Sequence, residues 1–288
     1  MPEAQSISKV AILADPRGPE KEKAISAALD ELRGYLNGFG VEIQVFIDGP
    51  VRDIKPDPDT QLFVVLGGDG TMIHFAARLS HMSIPFYGLN YGNVGFMMNN
   101  PKDGQGLITH AQRIRDGLFT PWDFPILRVR AQNLDGATHE GFGLNDIYLQ
   151  RMTPQSCKVD INLNGQALKI NPLLCDGVIV STPLGSTAYN YNVTGSMVAI
   201  NAPVITLTPV AAQRACPVSC MMLTTDTHIR FDILEPEKRR VQVVCDGQSY
   251  GDLIHAELSV IDRKVRLCFD PEYSRRLPMR FINKACGE

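Results

Sequence analysis

Leu62-Phe63-Val64-Val65-Leu66-Gly67-Gly68-Asp69-Gly70-Thr71 decides how this chain is read. An unbroken apolar run fits a strand buried on both faces. The glycines then allow a sharp turn, and Met72, Phe75, Ala76 and Leu79 continue at helical spacing on one face. A loop at the carboxyl end of a buried strand, opening a helix, is where open α/β sheets place ligands. The helix start offers unpaired N–H donors and partial positive charge, which suits phosphate. Gly67, Gly68, Gly70 and Thr71 are therefore the expected phosphate-binding residues. Asp69 is the candidate to take a proton from an attacking hydroxyl or to help hold Mg²⁺. The spacing is neither a Walker A loop nor G-x-G-x-x-G. A plain strand-to-helix turn with Asp69 as cap would not need this combination.

Outward from this loop, strand and helix patterns alternate. Lys9 to Ala14 reads as a strand; Ile25, Ala28, Leu29, Leu32 and Leu36 form a helical stripe; Val41, Ile43, Val45 and Ile47 alternate. Ile84 to Leu89 reads as another strand, and Leu107, Ile108, Ala111, Ile114 and Leu118 as another helix. Such repetition implies a parallel sheet covered on both faces. Near Pro121 the pattern changes to period two, with turns at Asp135-Gly136, Asn164-Gly165 and Asp262-Arg263-Lys264. The expected fold is an α/β, Rossmann-like N-terminal domain over 1–120, followed by a mostly antiparallel β domain over 121–270. The tail, 271–288, carries no clear pattern of its own.

With 288 residues, 44% of them hydrophobic, the chain has enough material for two domains. A net charge of −3 leaves no basic field for nucleic acid or an anionic membrane, so an anionic substrate must be held by local devices. Met1 to Ser8 lacks the charged-then-apolar layout expected of a signal peptide, and no apolar run approaches membrane-spanning length. The cysteines, odd in number and without repeated close pairs, read as free thiols in a reducing cytoplasm. Cys216 and Cys220 lack the second pair a zinc site needs.

Three further segments carry chemistry. Asn90-Tyr91-Gly92-Asn93-Val94-Gly95-Phe96 follows a strand, and its glycines suit backbone approach to a ligand; an irregular loop with Phe96 in the core is the bland alternative. In Gly143-Leu144-Asn145-Asp146 the amide suits a base edge and the carboxylate suits ribose hydroxyls. Asp176 to Asn190 runs an apolar strand into a loop dense in hydroxyls and glycine, ending in Ala188-Tyr189-Asn190, where small residues and a ring suit a flat ligand. His74, on the helix after the glycine loop, and Asp246, in Asp246-Gly247-Gln248, are further candidates. Lys238-Arg239-Arg240 reads as a solvated turn.

Together these segments resemble the NAD kinase family. Gly67 to Thr71 alone is similar to a wider superfamily that includes phosphofructokinases and lipid kinases. Ser181 to Asn190 resembles the family's Thr-Pro-Thr-Gly-Ser-Thr-Ala-Tyr signature, Asn145-Asp146 its Asn-Glu pair, and Asn90 to Phe96 its Asn-x-Gly-x-x-Gly-Phe segment, all in the family's order. The resemblance implies phosphoryl transfer from ATP or polyphosphate, with Mg²⁺, to the adenosine-ribose 2′-hydroxyl of NAD. It places Asp69 beside that hydroxyl, Asn145 and Asp146 at the adenosine half, Thr187, Ala188 and Tyr189 around the adenine, and Asp176 near the nicotinamide. It also implies NAD contacts at Gly70, Phe96, Asn192 and Ala211, no dedicated metal ligands, a tail returning to the first domain, and a homodimer or homotetramer. Asp146 stands for the usual Glu, Leu184 for a usual Thr, and Leu174-Cys175 for a frequent Arg-Gly. A lipid kinase would keep the glycine loop but needs an apolar groove; a non-catalytic dinucleotide sensor would not need Asp69.

Overall fold

A computed structural model of the chain describes residues 6–15, 19–92, 95–101, 106–170, 172–213 and 219–286. The chain divides into two compact units, Met1–Phe124 with Lys264–Lys284, and Pro125–Arg263 with Ala285–Glu288. The pair Cys216/Cys220 cannot be described, because Cys216 lies outside the described residues.

The first unit opens with β1 (Lys9–Ala14), α1 (Pro19–Gly38), β2 (Glu42–Ile47), β3 (Leu62–Gly67), α2 (Asp69–Leu79), β4 (Phe86–Asn90) and α3 (Gly106–Asp116). All pairings among these strands are parallel, in the order β2-β1-β3-β4. β3 is buried along its whole length, as a central parallel strand covered on both faces requires. Ile25, Ala28, Leu29, Leu32 and Leu36 are the face of α1 that packs against Val10, Ile12, Leu62 and Val64. The fourth strand begins at Phe86, not at Ile84, because Ser83 turns through a left-handed conformation (φ 57°) and Pro85 offers no ladder N–H.

The second unit holds β5 (Thr120–Asn133, from Pro125 on), β6 (Thr138–Gly143), β7 (Asp146–Arg151), β8 (Cys157–Leu163), β9 (Gln166–Ala167), β10 (Leu173–Cys175), β11 (Gly177–Ser181), α4 (Tyr189–Thr194), β12 (Val204–Val210), β13 (Met221–Thr224), β14 (Ile229–Ile233), β15 (Val241–Cys245), β16 (Gln248–Tyr250) and most of β17 (Leu253–Phe269). One antiparallel sheet runs β13-β12-β11-β7-β15-β16. β10, β8, β14 and β17 also pair antiparallel, and their inward residues Val159, Ile161, Phe231 and Leu258 meet Leu149, Val178, Val180 and Val243 of the first sheet. The hairpin turn at Asn164-Gly165 has both residues at positive φ, 51° and 79°.

Two further features depart from the sequence reading. Asp262-Arg263-Lys264 is no turn: β17 continues through it for 17 residues. Without Gly or Pro the segment has nothing to break the extended backbone, and its last residues pair parallel with β4 at Phe86 and Tyr87. The tail is α5 (Pro271–Cys286), which starts with an Asp270 carboxylate accepting the Glu272 N–H at 2.8 Å and with proline at the first helical position. Tyr273, Leu277 and Phe281, four apart, are its buried side. No helix among the described residues is long and apolar enough to cross a membrane.

Candidate functional site

In the first unit the expected residues converge where β3 and β4 end. Gly68 precedes α2 in an extended conformation, and its carbonyl accepts the Thr71 and Met72 N–H groups at 3.0 Å. The loop after β4 lies backbone to backbone on it: the Tyr91 N–H donates to the Gly67 carbonyl at 2.7 Å, and a Cβ on Gly92 would stand 3.1 Å from Gly68 Cα. A Cβ on Gly67 would strike Thr71 Oγ1 at 2.6 Å, so this glycine is set by packing on Thr71. Gly70 differs: it is exposed, and a Cβ there meets nothing within 4 Å. His74 sits one turn along α2, half-buried, its ring edge-on to Phe75.

Asp69 turns its carboxylate toward the 95–97 turn. The Phe96 N–H donates to one oxygen at 3.0 Å and the Met97 N–H to the other at 2.7 Å. These two donors fix the direction in which the carboxylate points. The Phe96 ring is buried and packs on Phe281. Asn93 and Val94 lie outside the described residues.

In the second unit Asn145 and Asp146 open β7 beside the β15–β16 turn. Asp246 adopts φ 43° there and gathers the N–H groups of Leu144 (2.5 Å), Asn145 (3.1 Å) and Asp146 (3.2 Å) on its carboxylate. Asp146 itself is buried. Loss of solvent, and then the nearby Asp246 charge, push its carboxyl up to about 7. Asn145 Oδ1 is buried with no hydrogen-bond partner among the described residues. An orphaned buried acceptor of this kind calls for a donor from outside the chain.

The hydroxyl-rich loop is mostly occupied with its own fold. Thr182 Oγ1 donates to the Leu144 carbonyl (2.7 Å) and accepts from the Gly185 N–H; Ser186 Oγ donates to the Pro183 carbonyl and accepts from the Val198 N–H. Asn190 is fully buried between Thr208 Oγ1 (2.7 Å) and the Ser196 carbonyl (3.1 Å). Gly185 lies so close to Asn145 that a Cβ would come 2.1 Å from its carbonyl oxygen. Thr187 is buried, Ala188 and Tyr189 are half-buried, and Asn192 is exposed. The Tyr189 ring stands edge-on to Tyr148, 5.1 Å away.

Asp176 and Ala211 lie at the other end of this sheet. Ser181 is in register with Asp146, whereas Gly177 is in register with Gln150 and Val210. The five steps from Asp176 to Ser181 therefore span roughly 16 Å. Arg151 holds Asp176 in a fork, Nε at 2.7 Å and Nη2 at 3.2 Å. Sequence reasoning passed over Arg151 and Tyr148, although both follow Asp146 on one strand. It also passed over Tyr273. Lys238-Arg239-Arg240 is partly structural: Arg239 donates to the Ser156 carbonyl, and Arg240 pairs with Asp252.

The chain matches known proteins along most of its length. Residues 52–114 match the ATP-NAD kinase N-terminal domain and residues 144–263 the ATP-NAD kinase C-terminal domain. It is 36% identical to a NAD kinase of Xylella fastidiosa (strain 9a5c) over 217 residues, 75% of this chain and 81% of that one. It is 31% identical to a NAD kinase of Rickettsia bellii over 230 residues, 80% of this chain and 87% of that one. Its fold is that of yeast NADH kinase, solved with NADH (TM-score 0.80, 22% identity, 98% of this chain and 88% of that one). A NAD kinase from Archaeoglobus fulgidus, solved with ATP, is also similar (TM-score 0.73, 19% identity, 96% and 98%). With both domains matched and relatives above 30% identity over three quarters of the chain, this protein belongs to the NAD kinase family, phosphotransferases with an alcohol acceptor.

Proposed function

We propose that Asp69 orients the adenosine-ribose 2′-hydroxyl of NAD for attack on the terminal phosphorus of ATP. The hydroxyl oxygen forms the new P–O bond, the bond to the ADP oxygen breaks, and NADP and ADP result. The carboxylate held by the Phe96 and Met97 N–H groups at the head of α2 carries this reading. Two amide donors make that carboxylate a well-aimed acceptor. Phosphoryl transfer asks chiefly for positioning and charge stabilisation, so alignment of the hydroxyl comes first and its proton passes late to the Asp69 carboxylate, which releases it to solvent.

At the head of α2 the backbone from Gly68 to Gly70 is placed to meet the donor phosphates, and the open space above Gly70 leaves room for them. Mg²⁺ would be carried in on the donor phosphates. Such an ion would neutralise phosphate charge as the bond breaks. The orphan Asn145 Oδ1 suits a base amino group, Asp146 the ribose, and Thr187 to Tyr189 the adenine face. Arg151–Asp176 and Ala211, roughly 16 Å along the sheet, suit the nicotinamide half of an extended dinucleotide. Family likeness supports a homodimer or homotetramer, to be read by light scattering.

The test is NADP formation by the purified protein from NAD and Mg²⁺ with ATP or polyphosphate as donor. The expected result is a 2′-phosphorylated product with ATP. Product with polyphosphate alone would replace the donor. Tight NAD binding without product under either donor would favour a dinucleotide sensor.

A further inference from the structure

We propose that Tyr273, on the C-terminal helix, is a positioning residue for Asp69. This rests on the reading of Asp69 given above. The Tyr273 hydroxyl stands 2.6 Å from the Gly95 carbonyl oxygen and 2.8 Å from that of Phe96, its single proton shared between them. The Gly95 carbonyl and the Phe96 N–H belong to one planar peptide group, and the Phe96 carbonyl and the Met97 N–H to the next. Those two N–H groups are the ones that grip Asp69. Each peptide group is thus held at its oxygen by Tyr273 and at its nitrogen by Asp69.

A hydrogen bond at a peptide oxygen polarises that group and strengthens its N–H as a donor. It also fixes the peptide plane, and with it the aim of the N–H. The rest of α5 steadies the hydroxyl. The Tyr273 ring stacks on Phe269 with centroids 5.5 Å apart, and the Arg280 guanidinium lies 4.2 Å over it while reaching the Gly95 carbonyl at 3.4 Å. Phe281 packs on Phe96 with centroids 5.3 Å apart. The hydroxyl itself adds little to packing, since a phenylalanine ring fills the same slot. Its geometry serves the aim of the carboxylate.

The test is a cycle of Tyr273→Phe, Asp69→Asn and the double variant, measured as kcat and KM for NAD with a melting curve for each. Tyr273→Phe is expected to lower kcat about 10- to 100-fold through misplacement of Asp69, with KM within about threefold. The double variant should be no slower than Asp69→Asn alone, because with the carboxylate gone Tyr273 has nothing left to aim. Near-normal kcat for Tyr273→Phe beside a slow Asp69→Asn would overturn the proposal, and so would losses that multiply in the double variant. Near-normal kcat for Asp69→Asn would instead overturn the role of Asp69 itself. If Tyr273→Phe does not fold, Arg280→Gln enters the same cycle with a smaller loss of a few fold expected, and an unchanged kcat there would also sink the proposal.

Discussion

Asp69 in the first unit and Asp146 in the second are both carboxylates at the mouth of a sheet, yet their surroundings treat them oppositely. Asp69 receives two backbone N–H groups and sits at a helix N-terminus, so its carboxylate is held and aimed. Asp146 is buried, and the backbone donors around it serve Asp246 instead. Without such donors, and facing a neighbouring charge, Asp146 is pushed up to about 7. Supply of donors, more than residue type, separates a carboxylate ready to orient a hydroxyl from one that holds its own proton near neutrality.

The sharpest attempt to break this contrast targets the support of the second site. Gly185→Ala would drive a Cβ into the Asn145 carbonyl oxygen, which is backbone and cannot swing away. Overpacking of this kind costs about 3 kcal/mol or more. Thermal melting should show a large loss, or NAD affinity should collapse in whatever folds. A variant with normal melting and normal affinity would mean the loop does not rest on Asn145.

Asp246→Ala should come next. It strips the acceptor from the N–H groups of Leu144, Asn145 and Asp146. Leaving such donors unpaired costs about 1–3 kcal/mol. It also removes the charge that faces Asp146, so NMR titration should find the Asp146 carboxyl lower in the variant than in the parent. An unchanged titration would assign the shift to burial alone.

The effect of Asp146→Asn depends on pH. In the unfolded chain this carboxyl ionises near 3.8; in the folded chain it does so at about 7. Between those values the unfolded form has released a proton that the folded form keeps. The stability contribution of Asp146 therefore falls as pH rises from about 4 to about 7, and is flat beyond. Asparagine has no such slope. Melting temperature of the variant minus that of the parent should grow from pH 5 to pH 7.5. A difference independent of pH would show that Asp146 is ionised throughout.

Much of the fold was legible because period and punctuation agreed. The unbroken run Leu62 to Leu66 became the buried central strand, the α1 stripe from Ile25 to Leu36 became its cover, and Asn164-Gly165 made the hairpin its φ tolerance suggests. Asp262-Arg263-Lys264 misled because polar residues in a row read as a turn, while a run without Gly or Pro carries the strand straight through them. In α5, Pro278 masked a stripe of three apolar residues, although Asp270-Pro271-Glu272 carries a helix start.

The candidate loops were legible by composition, but their division of labour was not. Nothing in the order Ser181 to Asn190 tells which hydroxyls turn inward to Leu144, Pro183 and Val198. Arg151 and Tyr273 stayed hidden for a related reason. Each acts on a partner far away in sequence, Asp176 and the 95–97 turn, and only tertiary structure brings them together.

The central claim is that Asp69 serves turnover and the second-unit site serves binding. The direct measurement is single-turnover NADP formation on enzyme saturated with NAD, with NAD affinity by calorimetry, for Asp69→Asn. The variant keeps the side chain's size and loses its charge. The expected result is a turnover rate lower by roughly two to four orders of magnitude, the usual range for loss of a positioned acid–base group, with NAD affinity within about threefold of the parent. A near-normal rate, or a folded variant that no longer binds NAD, would contradict the account.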